Sequence, residues 1–358
     1  MQQKADGQNY APKGKAFPVC KPGEFKVGVI GLDHGHIYGM CNGLEESGAQ
    51  IAFVYDKNPE AMSKFSSQFP HVTICKDPKA ILEHPDIKLV ASASVPVERT
   101  PLGISVMLHG KDFFADKPPC ITKEQIAQAR KTVAETGRKF GVYYSERLHV
   151  EAATRAMELI SQGAVGKVVQ VMGWGPHRAA THTRPQWFFE KKMYGGILVD
   201  IGCHQIEQIL AFSGSKDATI TSSKIANFNH HQYPSFYDFG ETTLTTDTGC
   251  SGYFRVDWFT PDGLGTWGDG RTIILGTDGY IELRKYIDIA RDQEGDHVYL
   301  VNHEGEHHEC VAGKSGYPFF GRFIRDCLDR TETAMDQQLV FRAIELAVQA
   351  ESQASVLA

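Results

Sequence analysis

Residues 25–56 read FKVGVIGLDHGHIYGMCNGLEESGAQIAFVYD, and the fold is decided there. FKVGVIG is an apolar strand that ends in a glycine-containing turn, HIYGMCNGLEES carries apolar residues at helical spacing, and QIAFVYD is a second apolar strand. Working outward, NPEAMSKFSSQF is predicted as a helix with Asn58 as N-cap and Pro59 at its first position. The stretch ILEHPDIKLVASASV follows, then a turn at Pro96, a helix around PLGISVMLHG and the strand KDFFADKP. The helix TKEQIAQARKTVAETG and the strand KFGVYYSE complete the series. Strands that alternate with helices and read as continuous apolar runs indicate a doubly wound parallel sheet covered on both faces.

After Arg147 the texture changes. The helix EAATRAMELISQG leads into segments rich in Thr, Tyr, Phe and Trp, broken by Gly, Asp and Asn. SGYFRVDWF, RTIILG, YIELRKYIDIA, HVYLVN and HHECVAG are predicted strands of a mainly antiparallel sheet, joined by turns such as TDG and HEG. Two helices, FFGRFIRDCLDR and DQQLVFRAIELAVQAESQA, close the chain. A length of 358 residues accommodates two cores. The expected division is an irregular arm over 1–24, a first domain over 25–147 and a second over 148–358. The arm is polar and rich in Gly, Pro and Lys without the apolar centre of a signal peptide, so a mobile terminus is expected rather than a strap over a neighbouring subunit.

A net charge of −6 with no basic stripe argues against a nucleic-acid partner. No apolar run approaches the ~20 residues that span a bilayer, so no membrane partner is expected. The eight cysteines form no Cys-x-x-Cys pair, which points away from a zinc framework or disulfide scaffold and towards the cytoplasm. An export signal already removed is the alternative.

Three segments carry chemistry. In the turn after the first strand, glycine lets the backbone approach a pyrophosphate at a helix N-terminus, and Asp56, at the end of the second strand, suits adenosine ribose hydroxyls, favouring NAD over NADP. Against G-x-G-x-x-G the turn is Gly31-Leu32-Asp33-His34-Gly35-His36, with only its first glycine in place. Asp33 brings a carboxylate to where phosphates come closest, and an N-cap role for it is the competing reading. Lys57, beside Asp56, weakens the NAD preference without reversing it. The second segment is Ala115-Asp116-Lys117-Pro118, which sets a lysine at the C-terminal end of a parallel strand, where it can steady a developing alkoxide; a plain surface turn is the alternative. The third is Gly195-Gly196-Ile197-Leu198-Val199-Asp200-Ile201-Gly202-Cys203-His204. On one helix Asp200 and His204 share a face, two glycines permit close backbone approach to a ligand, and histidine suits proton transfer. A helix-stabilising pair is the alternative.

Together and in order these segments resemble the Gfo/Idh/MocA family of NAD(P)-dependent oxidoreductases, from about Phe25 to the C-terminus. The resemblance extends to Arg147 with its following helix, Gln162-Gly163-Ala164-Val165-Gly166 and Gly276-Thr277-Asp278-Gly279-Tyr280-Ile281-Glu282-Leu283. The family's Glu-Lys-Pro is Asp116-Lys117-Pro118 here, its Gly-Gly-x-x-x-Asp-x-Gly-x-His is intact at 195–204, and Glu207 stands for its usual aspartate. Val95-Pro96-Val97 with Arg99 departs from its usual Thr-Pro-Asn and histidine. The resemblance implies an α/β fold: an N-terminal Rossmann domain with a doubly wound parallel sheet, and a C-terminal α/β domain with a large, mainly antiparallel open sheet. It also implies a catalytic set of Lys117, Asp200 and His204 acting on a small sugar, cyclitol or related polyol, and homodimers or homotetramers formed through the open sheet face. The expected cofactor contacts are Gly31, Asp33, His34, His36, Asp56, Lys57, Ser94 and Lys117.

Beyond the motifs, GWGPHRAATHTRPQWFF supplies Arg178, Arg184 and Trp187 as candidate substrate contacts with Arg147, Asp200 and His204; arginines bind hydroxyls or carboxylates, and tryptophan stacks on sugar rings. A packed subunit-interface loop is equally compatible. Tyr144 and Glu146 suit either a substrate contact or a hinge. No metal is expected, since a metal site needs several convergent ligands: of His230-His231 and His303 with His307-His308, which invite such a reading, the latter three surround an exposed-looking hairpin and read as solvated strand residues, and Asp33, His34 and His36 form a tighter but unfavoured grouping. A redox-neutral, NAD-dependent glycoside-cleaving cycle and a non-catalytic nucleotide sensor are the competing functions.

Overall fold

The computed structural model describes residues 6–357. In it the first alternation becomes β1 (Lys26–Ile30), α1 (His36–Glu46), β2 (Gln50–Tyr55), α2 (Pro59–Gln68), β3 (Thr73–Ile74) and α3 (Lys79–Leu82). β4 (Ile87–Ser92), α4 (Pro96–Leu108), β5 (Asp112–Asp116), α5 (Lys123–Thr136) and β6 (Phe140–Tyr143) follow. The strands pair in parallel in the order β3-β2-β1-β4-β5-β6. The order reverses between β1 and β4, and open α/β sheets hold ligands at the C-terminal strand ends beside such a switch. Asn58 caps α2 by accepting from the Glu60 and Ala61 amides, Thr122 caps α5, and Gly137 ends α5 at φ 64°.

One helix start differs from expectation. Pro96 opens α4 rather than sitting in a turn, because proline at a first helical position is preorganised for the helix. Pro101 then lies inside α4 and cannot donate to the Val97 carbonyl, which accepts instead from Gln125 Nε2 at 2.9 Å. The arm also departs from a mobile terminus. Phe17 and Val19 amides donate to the Glu46 and Ser47 carbonyls at 2.7 and 3.0 Å, and the Gly14 amide donates to Glu46 Oε1 at 2.8 Å. These bonds tie the segment to the end of α1, and sequence composition does not register such tertiary partners. Residues 1–5 of the expected arm lie outside the described residues.

The rest of the chain forms α6 (Ser145–Leu148), α7 (Glu151–Ser161), β7 (Val168–Pro176), α8 (Lys191–Tyr194), α9 (Ile197–Asp200) and α10 (Gly202–Ser213). Then come β8 (Ala218–Ala226), β9 (Phe239–Thr246), β10 (Ser251–Asp257), β11 (Arg271–Gly276), β12 (Gly279–Arg284), β13 (His297–Asn302) and β14 (Gly305–Cys310). α11 (Pro318–Asp329), α12 (Gln337–Gln353) and β15 (Ser355–Val356) close it. The second sheet has nine strands in the order β14-β13-β12-β11-β7-β10-β9-β8-β15, antiparallel except at β7–β10 and β8–β15. Along β9 and β11 every second residue is buried, so one face is covered and the other is open. β7, β8 and β9 escape the sequence reading because Gly, Ser and Thr dilute their apolar pattern. Conversely, YIELRKYIDIA stays a strand only to Arg284, where Lys285 turns into the core. By contacts the described residues fall into two compact units: 8–143 with 318–341, and 6–7 with 144–317 and 342–357.

Candidate active site

In the first unit, Gly31 adopts φ 90°, and a Cβ there would lie 2.7 Å from Ser94 Cβ. The chain after β1 therefore passes tightly over the chain after β4, an arrangement held by Ala93 donating to the Gly31 carbonyl and His34 to the Ala93 carbonyl. Asp56 organises the same turn: Oδ2 accepts from the Leu32 amide at 2.6 Å and Oδ1 from the Asn58 amide at 2.7 Å. Each oxygen keeps a lone pair for a ribose hydroxyl, so the residue fits the dinucleotide role. Asp33 is exposed and does not cap α1, whose N-cap position, Gly35, has no side-chain bond. Its carboxylate accepts from the Val95 amide instead; partial desolvation, then Asp56 and Glu98, hold it above the usual carboxylate range. The glycine at 35 serves the arm: a Cβ there would come within 2.2 Å of the Gln8 carbonyl oxygen.

The two turn histidines meet Asp116 at the end of β5. His36 Nδ1 lies 2.9 Å from its Oδ1, His34 Nδ1 3.3 Å from its Oδ2, and Arg99 Nη2 donates to Oδ2 at 3.0 Å. Burial opposes ionisation of Asp116, but His36, Arg99 and His34 outweigh it and hold the carboxyl well below its ordinary range. Burial, then His36, push the His34 imidazole well below its ordinary range. Among the described residues His34, His36 and Asp116 are the one grouping with metal-ligand proximity, so Asp33 does not complete the cluster suggested by the sequence. Arg99 already supplies the cation at Asp116, and the arrangement is an ion-pair hub. The hub sets the buried Lys117: Asp116 Oδ1 accepts from the Lys117 amide at 2.8 Å, and Arg99 Nη1 donates to the Lys117 and Pro118 carbonyls. The Lys117–Pro118 peptide is cis.

In the second unit, Asp200 ends α9 and His204 lies in the first turn of α10, with Ile201 breaking the helix between them. The shared face required one helix through both residues; instead the four-residue α9 and the twelve-residue α10 meet at Ile201. Gly195 and Gly196 have φ of 93° and 105°, but the group that comes close is Glu351 of α12 rather than a ligand. A Cβ on Gly196 would sit 2.2 Å from Glu351 Cδ, and Glu351 Oε2 accepts from the Leu198 amide at 3.0 Å, anchoring the start of α9. His204 is buried, with the Tyr144 ring edge-on at 6.2 Å. Its carbonyl accepts from Gln208 Nε2 at 3.1 Å, and Gln208 Oε1 accepts from the fully buried Lys285 at 2.6 Å. Lys285 also faces Glu146 at 3.4 Å, and burial pulls its ammonium below the ordinary lysine range. Glu351 and Lys285 are distant in sequence from the motif they support, and no local pattern marks them.

The expected substrate residues separate into two kinds. Arg147 forks onto Glu207 through Nε at 2.9 and 3.0 Å and through Nη2, so its charge is matched inside the unit. Arg178 is buried and donates to the Pro261 and Leu264 carbonyls at 3.0 and 2.9 Å, which makes it a loop anchor. Neither set of partners is visible from local sequence. Arg184 is half-buried, stacks 4.7 Å over Phe188 and 5.4 Å over Trp258, and senses Asp200 and Asp6. Trp187 is half-buried, its ring 6.4 Å from Phe188. In the first unit Ser94 is buried and bonds to Ser92, while exposed Lys57 lies 3.7 Å from Glu98.

His303, His307 and His308, read as solvated strand residues, are exposed, with His308 3.0 Å from buried His297. Buried His230 bonds Asp238 at 2.9 Å. Among the described residues no helix is long and apolar enough to cross a membrane.

Comparison with known proteins adds the following. Residues 25–144 match the oxidoreductase family with NAD-binding Rossmann fold, and residues 153–282 match the GFO/IDH/MocA C-terminal domain. Over 290 residues the chain is 25% identical to scyllo-inositol 2-dehydrogenase (NAD(+)) of Bacillus subtilis, covering 80% of each protein. A crystal structure of a putative oxidoreductase from Erwinia carotovora atroseptica superposes with a TM-score of 0.90 at 47% identity, over 93% of this chain and all 100% of that one. A levoglucosan dehydrogenase complexed with NADH shares the fold at 16% identity, with a TM-score of 0.74 over 92% of this chain and 97% of its own.

Proposed function

Because the chain belongs to the Gfo/Idh/MocA family of oxidoreductases, with an NAD-binding Rossmann domain, we propose that it moves a hydride between nicotinamide and a hydroxyl-bearing carbon of a sugar, cyclitol or related polyol. The observation that carries this reading is Lys117: it is buried at the C-terminal end of β5, with its backbone tied on both sides to Asp116 and Arg99. The bound nicotinamide supplies the hydride acceptor or donor. Lys117 holds the substrate oxygen and stabilises its developing negative charge. His204 takes the hydroxyl proton on oxidation and returns it on reduction, and Asp200 orients the substrate. Arg184 and Trp187, in the same unit as Asp200, bind the substrate's polar groups and ring face.

The cofactor is NAD in preference to NADP. Asp56 accepts ribose hydroxyls and repels a 2′-phosphate. The inositol dehydrogenase likeness supports a cyclitol or sugar substrate. The cytoplasm is the proposed compartment, and the open face of the second sheet is the proposed contact of a homodimer or homotetramer. Incubating the protein with NAD and a panel of inositols, aldoses and anhydrosugars tests the reading, with NADH absorbance and product analysis followed together. Stoichiometric NADH supports net oxidation. Product without NADH would replace it with a redox-neutral cycle, and no turnover with any member of the panel in either direction would end it.

A further inference from the structure

We propose that this chain binds its dinucleotide together with a proton, taken up by Asp33 in the turn 31–36, so that affinity falls as pH rises. The inference rests on the dinucleotide reading and adds a regulatory property to it.

Asp33 stands at the turn position where a fingerprint glycine lets phosphates approach the backbone, and it is exposed there rather than folded back onto α1. Its carboxylate is steadied by the Val95 amide and, as the smallest influence, by the charge of Arg99, which lies outside the turn. Asp56, at the end of β2, and Glu98, in the first turn of α4, bear on it with the same sign. The opposing charges are committed elsewhere. Arg99 of α4 is buried on Asp116, the turn histidines His34 and His36 meet that same carboxylate, and Lys57 pairs with Glu98 at 3.7 Å.

An arriving pyrophosphate adds two more negative charges beside an acid already held above the usual carboxylate range by its surroundings. The carboxylate must then either repel the ligand or become neutral. Neutralisation takes one proton from solvent and leaves the Val95 bond available to the acid's carbonyl oxygen. The pKa of Asp33 in the complex exceeds its value in the free protein. The dissociation constant therefore rises with pH through the interval between the two values, and is level below the first and above the second.

The test is NADH binding to the full chain, followed by ligand fluorescence from pH 5.5 to 8.5, with calorimetry in two buffers of different ionisation enthalpy to count protons. The parent protein is expected to bind about tenfold more weakly at pH 8.5 than at 5.5, within the limit of tenfold per pH unit for one proton. Asp33→Asn, at an exposed position and able to keep the Val95 bond, is expected to flatten the profile, abolish proton uptake and bind about tenfold more tightly than the parent at pH 8.5. An equal slope in parent and Asp33→Asn, or a flat profile in the parent, overturns the proposal while leaving dinucleotide binding intact. No NADH binding at any pH in either protein overturns both this proposal and the functional reading beneath it.

Discussion

Lys117 is held by bonds to its backbone, so replacing its side chain leaves the Asp116 and Arg99 contacts in place. Lys117→Ala is accordingly expected to keep the circular dichroism and melting temperature of the parent. Its kcat should fall by about a hundredfold to a thousandfold, as when one transition-state charge donor is lost. His204→Ala is expected to lower kcat by about a hundredfold to ten-thousandfold. Its backbone carbonyl still receives Gln208, so the helix is retained. Steady-state kinetics on either variant at parental activity would overturn the assigned roles. The sequence marked both residues as candidates, because each lies in a short motif. The hub that sets Lys117 was legible only in pieces: His36 stood out as a departure from glycine, with His34 two residues before it, but the meeting of His36 with Asp116 80 residues later depends on β1 and β5 sharing a sheet.

Among elements, the start of α9 and the start of α7 are each held by a carboxylate from elsewhere in the chain. Glu351 anchors α9 beneath a glycine at φ 105°. Gly196→Ala should therefore strain the backbone and drive a methyl into that carboxylate, costing about 2 kcal/mol or more in urea unfolding. At α7, Asp296 donates no proton to its helix; Oδ1 accepts from the Ala152 amide at 2.8 Å. Burial, opposed by that bond and reinforced by Glu151, pushes Asp296 from 3.8 up to about 7. The folded state then retains a proton that the unfolded chain releases, so this group's contribution to stability declines as pH rises from near 4 through about 7. Asp296→Asn, whose residue type tolerates the observed φ of 57°, is expected to flatten the melting-temperature profile across that range. An unchanged slope would reject the assignment. The Asn58 helix cap was readable in advance because its partners lie two or three residues away.

For the whole molecule, the open face of the nine-stranded sheet carries Leu275 and Tyr280 side by side on β11 and β12, 40% and 41% exposed. Apolar cross-strand pairs left open in this way suit burial against a second copy. Leu275→Glu with Tyr280→Glu is expected to convert the proposed homo-oligomer to monomer in multi-angle light scattering. A parent that is already monomeric at micromolar concentration removes that proposal.

Periodicity was sufficient to establish the alternating parallel sheet and the mixed sheet after it, and short motifs marked Lys117, Asp200 and His204 as candidates. Each rests on residues close in sequence, where backbone geometry ties spacing to face. What the tertiary structure alone decided is how the charges are spent. Arg147 and Arg178 found bonding partners inside the second unit, Glu351 and Lys285 emerged as supports, and Asp33 was left exposed while its neighbouring histidines went to Asp116. A side chain's charge can be read from one letter, but its partner is whichever group the fold carries to within about 3 Å, and long-range pairing leaves no trace in local spacing.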